Sequence, residues 1–75
     1  MSPIKHDKYQ HYKGNFYKVI CVASHSETLE KMVVYQGQYD SPDLGKNPIF
    51  VRPLEMFQEQ VVVDGKKIPR FKYIK

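Results

Sequence analysis

The sequence predicts a small all-β domain, and three observations favour that fold class. The chain has 75 residues, of which 41% are apolar and 27% charged, which is typical of one folded domain. Short runs rich in Val, Ile, Tyr and Phe alternate with clusters of Gly, Pro, Asn and Asp. No segment keeps a helical apolar period for more than about two turns, so the pattern predicts strands and no long helix.

The first predicted hairpin follows a tight turn. Gly14 and Asn15 tolerate the positive φ that such turns require. Apolar residues then occupy both alternating faces of residues 16–24, so we expect this strand to be covered on both sides. A polar loop at 25–29 leads to a second strand at 31–36, rich in Val and Tyr. The two runs predict an antiparallel hairpin.

The second half of the chain predicts three more strands and one helical turn. Residues 37–48 hold repeated Gly, Pro, Asp and Asn, which predicts a long loop, functional or mobile. After a strand at 49–52, Pro53 suits the first position of a helical turn over 53–58, with Met56 and Phe57 facing the core. A strand at 60–63, a strong Asp64-Gly65 turn signal and a last strand at 68–74 complete the chain.

About five short antiparallel strands with one helical turn predict a small SH3-like barrel, in which closure removes exposed sheet edges. An OB-like barrel is the alternative, although it usually needs longer strands. We assign residues 1–8 to a flexible N-terminal arm and residues 9–75 to the barrel. Pro69 indicates an edge position or a bulge near the start of the last strand.

The cysteine count and the hydropathy of the chain limit the compartment and the cofactors that we expect. A single cysteine, Cys21, excludes an intramolecular disulfide framework, and its apolar neighbours predict a buried thiol. The sequence shows no signal peptide and no run of ~18 apolar residues, so we expect a cytoplasmic protein without a membrane partner. His6, His11 and His25 lack zinc-ligand spacing, so we expect neither metal nor cofactor.

Several blocks of three or four residues carry a family resemblance. In order, they are His11-Tyr12-Lys13-Gly14, His25-Ser26-Glu27-Thr28, Val33-Val34-Tyr35, Val51-Arg52-Pro53 and Pro69-Arg70-Phe71. Over residues 9–74 the chain resembles a family of small bacterial domains of unknown function. The resemblance implies an SH3-like barrel and no known activity. That family usually carries Trp where this chain has Phe50, which keeps an aromatic platform without the indole N–H.

The His25–Thr28 block is the most concentrated polar segment, and it leaves two interpretations open. Ser26 and Thr28 can bond to local backbone groups in a tight loop, or His25 and Glu27 can contact a ligand. A catalytic triad is disfavoured because adjacent loop residues diverge, and so small a barrel offers little room for a water-excluding pocket. We therefore assign no catalytic residue and expect a protein that is not an enzyme.

Arg52 lies among apolar strand residues, and its guanidinium is expected either to pair with Glu55 or Glu27 or to clamp an anion. Exposed aromatic side chains beside charges are typical of small barrels that bind peptides or single strands. The resulting ligand-binding candidates are His25, Glu27, Thr28, Tyr35, Phe50 and Arg52.

The net charge of +4 is distributed unevenly. Residues 1–18 carry four Lys against one Asp, for +3, and residues 46–75 carry seven basic against three acidic groups, for +4; the middle is acidic. If the first and last strands are neighbours, the two chain ends form one basic face able to meet phosphates. The nucleic-acid-binding candidates are Lys13, Lys18, Lys66, Lys67, Arg70 and Lys72.

These observations predict a non-enzymatic binding module that recognises a protein segment or a small anionic ligand on the barrel surface. The alternative is a nucleic-acid-binding accessory domain that uses the basic chain ends. For the protein itself we expect a monomer or a weak homodimer.

Overall fold

The computed structural model describes residues 4–74, which form nine strands and one short helix. The strands are β1 Lys8–His11, β2 Phe16–Ser24, β3 Lys31–Gly37, β4 Asp40–Ser41, β5 Gly45–Lys46, β6 Ile49–Pro53, β7 Gln60–Val63, β8 Lys66–Pro69 and β9 Phe71–Ile74, and the helix is α1 Leu54–Phe57. Within this part of the chain no helix is long and apolar enough to cross a membrane.

Five strands form the main sheet in the order β6-β3-β2-β1-β9, with every neighbouring pair antiparallel. β4 with β5 and β7 with β8 make two separate hairpins. The predicted all-β class, the five-stranded antiparallel arrangement and the helical turn near 53–58 are confirmed. The last strand pairs with the first, so the two chain ends lie side by side, as the basic-face hypothesis requires.

The sheet bends at a bulge in β2, where the register with β3 shifts between Val19 and Cys21. An extra residue on one strand increases twist and curvature. Within residues 4–74, no backbone pairing joins β6 to β9, so the barrel is partly open rather than fully closed. Instead, α1 covers the concave side, which we call the inner face.

Alternation along each strand sends the core residues to the inner face. Phe57 of α1 stacks on Phe71 of β9 with ring centroids 4.2 Å apart and planes at 7°, and it meets the edge of Tyr9 at 5.4 Å. Burying such apolar area is the main stabilising contribution in a domain this small. The buried hydrophobic core is Tyr9, Val19, Val33, Tyr35, Leu54, Phe57 and Phe71.

Three expectations about burial are wrong. Met56 is 45% exposed because the single turn of α1 directs only Leu54 and Phe57 into the core. Cys21 is partly exposed because it lies opposite Val34, on the outer face of the sheet. The strand at 16–24 is not covered on both sides, since Ile20 on the outer face is 43% exposed.

Two turns follow the sequence prediction. Gly14 has φ of 111° between β1 and β2, and Asp64 and Gly65 have φ of 51° and 75° between β7 and β8. Two consecutive residues with positive φ suit the tightest antiparallel hairpins. The strand predicted at 68–74 is divided at Arg70, because its first part pairs with β7 and its second part with β1.

The segment before β1 lies against the domain. Ile4 packs on the core, and the Tyr9 hydroxyl donates to the Lys5 carbonyl at 3.2 Å. The Tyr73 hydroxyl donates to an Asp7 carboxylate oxygen at 3.2 Å. Residues 4–8 of the assigned arm therefore contact the barrel, while residues 1–3 lie outside the described part of the chain.

Candidate anion-binding site

The inner face gathers an arginine and several aromatic rings from five strands. Tyr35 stacks on Phe50 with centroids 5.6 Å apart and planes at 30°, and Tyr17 meets both rings edge-on at 5.4 and 6.0 Å. Register explains this grouping, because Tyr35 is opposite Phe50, and Tyr17 is opposite Gly37, two residues from Tyr35 on the same face of β3. We call the following residues the inner cluster: His11, Tyr17, Tyr35, Phe50, Arg52 and Phe71.

Arg52 is held in the inner cluster without a carboxylate. Its Nε donates to the Tyr35 hydroxyl at 3.3 Å, and its guanidinium carbon lies 5.7 Å from the centre of the Phe71 ring. The expected partners Glu55 and Glu27 do not pair with it, since the ion pair formed within residues 4–74 joins Arg70 to Glu59. Arg52 is thus oriented by aromatic groups while its terminal nitrogens keep their hydrogen-bonding capacity.

His11 is partly buried and lies close to several positive charges, which affect its pKa. Burial lowers its pKa from the ordinary 6.5, and the nearby charges of Arg52, Arg70 and Lys13 lower the pKa further. Its Nδ1 accepts the Lys13 backbone N–H at 3.2 Å, and its ring meets the Phe71 ring at 4.9 Å. The neutral imidazole therefore leaves Nε2–H as a donor beside the arginines.

Acid is expected to destabilise the domain through His11. Because the folded pKa lies below the unfolded value, the stability due to neutral His11 is present above about pH 6.5 and falls as pH drops toward the folded pKa. Urea midpoints measured from about pH 7.5 to 5.5 should fall for the wild type and for H6Q, which alters an exposed histidine. H11Q should flatten that decline. An equal decline in H11Q would show that another group is responsible.

A tyrosine pair borders the inner cluster. The hydroxyls of Tyr17 and Tyr39 are 3.1 Å apart and their rings cross at 89°. Burial, with a smaller contribution from the Tyr39 hydroxyl, raises the pKa of Tyr17 to about 12. The Tyr17 hydroxyl therefore stays protonated at neutral pH, and the pair supplies hydrogen-bonding groups at this border of the cluster.

The loop between β2 and β3 bonds mainly to itself. His25 Nδ1 accepts the backbone N–H groups of Glu27 and Thr28 at 3.2 and 3.3 Å, and Thr28 Oγ1 accepts the Glu30 N–H at 3.2 Å. Leu29 closes the loop with φ of 63° and an N–H bond to the His25 carbonyl. Thr28 thus makes the local backbone contact that was one of the two interpretations, and the second local acceptor is His25 rather than the expected Ser26.

The structure brings together half of the predicted ligand site. Arg52 aligns with Val33 and Val22 across the sheet, and His25 follows Val22 by three residues, about 10 Å along the strand. Tyr35 lies on the other side of Val33. Tyr35, Phe50 and Arg52 therefore share the inner cluster, while His25, Glu27 and Thr28 occupy an exposed loop at the end of the β2–β3 hairpin.

The basic candidates spread over several surfaces. Lys18 and Lys72 lie on the outer face, where Lys8 is directly opposite Lys18. Lys8 Nζ also lies 5.1 Å from the centre of the Phe16 ring. The remaining candidates are Lys13 in the first turn, Lys66 and Lys67 on β8, and Arg70 in its ion pair with Glu59.

Sequence reasoning missed His11, Tyr17 and Phe71 as members of the cluster. Each lies at an inward position of a strand, but their meeting depends on the β1–β9 pairing, which no local pattern encodes. A cavity of about 410 Å³ is lined by Gln10, His11 and Tyr12 near the start of the sequence and by Ile68, Pro69 and Lys72 near its end. Among residues 4–74, no group of three His, Cys, Asp or Glu side chains is placed to hold a metal ion.

This architecture, a five-stranded antiparallel sheet with a short helix over its concave side, defines a small all-β domain. Residues 7–73 match the family model described as protein of unknown function (DUF1653), so the chain belongs to that family. The fold is similar to the crystal structure of a DUF1653 protein from Bordetella bronchiseptica, with 32% identity and a TM-score of 0.83. That match covers 95% of this chain and 87% of the other. No curated protein matches the sequence.

Proposed function

We propose that this domain is a non-enzymatic binding module that holds an anionic group of a protein segment or small ligand at Arg52. One observation carries the proposal. Arg52 is fixed by the Tyr35 hydroxyl and the Phe71 ring, yet it pairs with no carboxylate among the described residues. A partly buried charge normally has a partner, so an uncompensated and oriented guanidinium favours an external anion.

The surroundings of Arg52 favour binding over catalysis. The neighbouring groups are aromatic rings, a neutral His11 and the protonated hydroxyl of Tyr17, which supply stacking surfaces and donors. The most reactive-looking segment, His25–Thr28, uses its imidazole and Thr28 hydroxyl to close its own loop. A planar guanidinium can bind a carboxylate or phosphate through two parallel hydrogen bonds.

Titration with sodium acetate and sodium phosphate, read by backbone amide shifts, tests this proposal. We expect saturable shifts centred on Tyr35, Phe50 and Arg52. R52Q should weaken binding by about tenfold or more, because a hydrogen bond to a charged group contributes ~1.5–3 kcal/mol. R52K keeps the charge but loses the two-pronged geometry, so its affinity should be intermediate.

K67Q is the matched control, because it removes one positive charge from an exposed strand outside the cluster. Its affinity should equal that of the wild type at constant ionic strength. If K67Q and R52Q weaken binding equally, the anions respond to net charge and the Arg52 site is wrong. If the amide signals of R52K are as well dispersed as those of the wild type, the variant is folded, and its weaker affinity is a binding defect.

Nucleic-acid binding is a second candidate, favoured by the pairing of β1 with β9. Together with the pairing of β1 and β2, it puts Lys8, Lys18 and Lys72 on one outer surface beside Phe16, where Lys8 is opposite the like charge of Lys18. Three phosphate contacts to duplex DNA would make log K fall with log salt at a slope of about −2.7. K18Q should lower that slope and K66Q should not; a slope near zero would exclude this candidate.

A further inference from the structure

We propose that the open edge of β6 binds an extended peptide strand that carries an acidic residue, and that this residue pairs with Arg52. The proposal rests on the anion site at Arg52 described above, and it specifies the partner of that site. It concerns main-chain pairing at a sheet edge, in which backbone bonds provide affinity and alternate side chains provide specificity.

The edge strand β6 is available for pairing. It ends the order of the main sheet and bonds to β3 along one side. Within residues 4–74, its other side has no backbone or side-chain hydrogen-bond partner. Unpaired N–H and C=O groups along a strand are a template for another strand. Pro53 lacks an N–H, which limits the template to the residues before it.

The side chains of β6 specify what the added strand should carry. Ile49 and Val51 point to the outer face and are 62% and 59% exposed, while Phe50 and Arg52 point to the inner face. A strand paired with β6 places its own side chains alternately on the same two faces. Apolar residues on its outer side would cover Ile49 and Val51, and a carboxylate on its inner side would reach Arg52.

Charge complementarity favours an acidic peptide over a second copy of this chain. Two copies paired through β6 would each present Ile49–Pro53, a segment with no carboxylate, so Arg52 would stay unpaired. The strand at the other end of the sheet, β9, is a less suitable edge, because its outer side carries Lys72. The exposed pair Ile49 and Val51, which lies next to Arg52, belongs to β6. The occupant that fits is therefore a peptide with alternating apolar and acidic residues.

The experiment uses the full chain and the acetylated, amidated hexapeptide Thr-Val-Glu-Val-Thr-Lys. Its valines share one face, and its glutamate lies between them on the other. We expect amide shifts concentrated on Ile49–Arg52, slower hydrogen exchange at Ile49 and Val51, and contacts between peptide and β6 backbone protons. Replacing the peptide glutamate by glutamine should weaken binding about tenfold, the loss of a charge-assisted bond.

Backbone methylation of the peptide tests the pairing without altering the protein. Alternate amides of a strand point to opposite sides. One peptide is therefore methylated at both valine amides, and a second peptide at the amides of the glutamate and of the threonine that follows the second valine. Each peptide has the donors of one side blocked. One pattern should weaken binding about tenfold or more and the other should leave it nearly unchanged, because two main-chain bonds are lost in the first case.

Three results would overturn strand addition. They are equal affinity for both methylated peptides, shifts centred on β9 instead of β6, and a concentration-dependent dimer whose interface protects the β6 amides. If acetate still perturbs Arg52 in any of these cases, the anion site stands and only the strand pairing is wrong. If neither acetate nor the peptide acts on Arg52, both proposals are wrong.

Discussion

Replacing Phe57 with alanine should remove most of the net stability of the domain. Phe57 is 1% exposed and stacks on Phe71, and its ring also meets Tyr9 and Tyr35 at 5.4 Å. Removing a buried phenylalanine costs about 3–5 kcal/mol. A domain of this size has a free energy of unfolding near the low end of ~5–15 kcal/mol, so the substitution removes most of that free energy.

Thermal unfolding followed by circular dichroism measures this effect. The melting temperature should drop by on the order of 12–40 °C, since 1 kcal/mol shifts it by roughly 4–8 °C in a domain this small. M56A is the matched control, because Met56 occupies the same helical turn and is 45% exposed. A loss in M56A as large as in F57A would mean that α1 stabilises the fold by some route other than the Phe57 contact.

Substituting Gly37 with alanine should give the second largest loss, about 1–3 kcal/mol. Gly37 is buried, and a Cβ built there would lie 2.8 Å from Tyr39 Cε1 and 3.1 Å from its Cζ. The ring cannot yield freely, because its hydroxyl lies 3.1 Å from that of Tyr17 and the two rings pack edge to face. The added methyl must therefore displace Tyr39 and break the hydroxyl pair.

A double-mutant cycle isolates this clash. In a Y39A background the ring is absent, so G37A should have little effect on the urea midpoint. The free-energy cost of G37A in the wild type should thus exceed its cost in Y39A by about 1 kcal/mol or more. Equal costs in the two backgrounds would place the effect in the backbone of β3 rather than at Tyr39.

The strands could be predicted from the sequence because their signals are local. The Val- and Tyr-rich run at residues 31–36 and the Asp64-Gly65 turn signal are both local, and the structure has the strand and the turn. The predictions that Met56 and Cys21 are buried were wrong because no local signal determines the burial of these residues. Their burial depends on the phase of one helical turn and on a bulge, and a run of apolar letters contains neither.

The candidate site likewise combines residues whose positions follow from local signals with residues whose positions do not. Tyr35, Phe50 and Arg52 meet because β3 and β6 are neighbours, and both strands were predictable. His25 was grouped with them by residue type, but its hydrogen bonds stay within its loop. His11 and Phe71 join through the β1–β9 pair, which links positions sixty residues apart. Such non-local pairing follows from the whole fold and cannot be read from either segment alone.

The side-chain Nε–H resonances of the two arginines test the central claim most directly. The chain contains only Arg52 and Arg70, so a nitrogen–proton spectrum gives one Nε signal for each. On addition of acetate, the Arg52 signal should shift and saturate, while Arg70, already paired with Glu59 at 3.1 Å, should move little. Equal shifts of both signals, or a fixed Arg52 signal, would contradict an anion-binding role for Arg52.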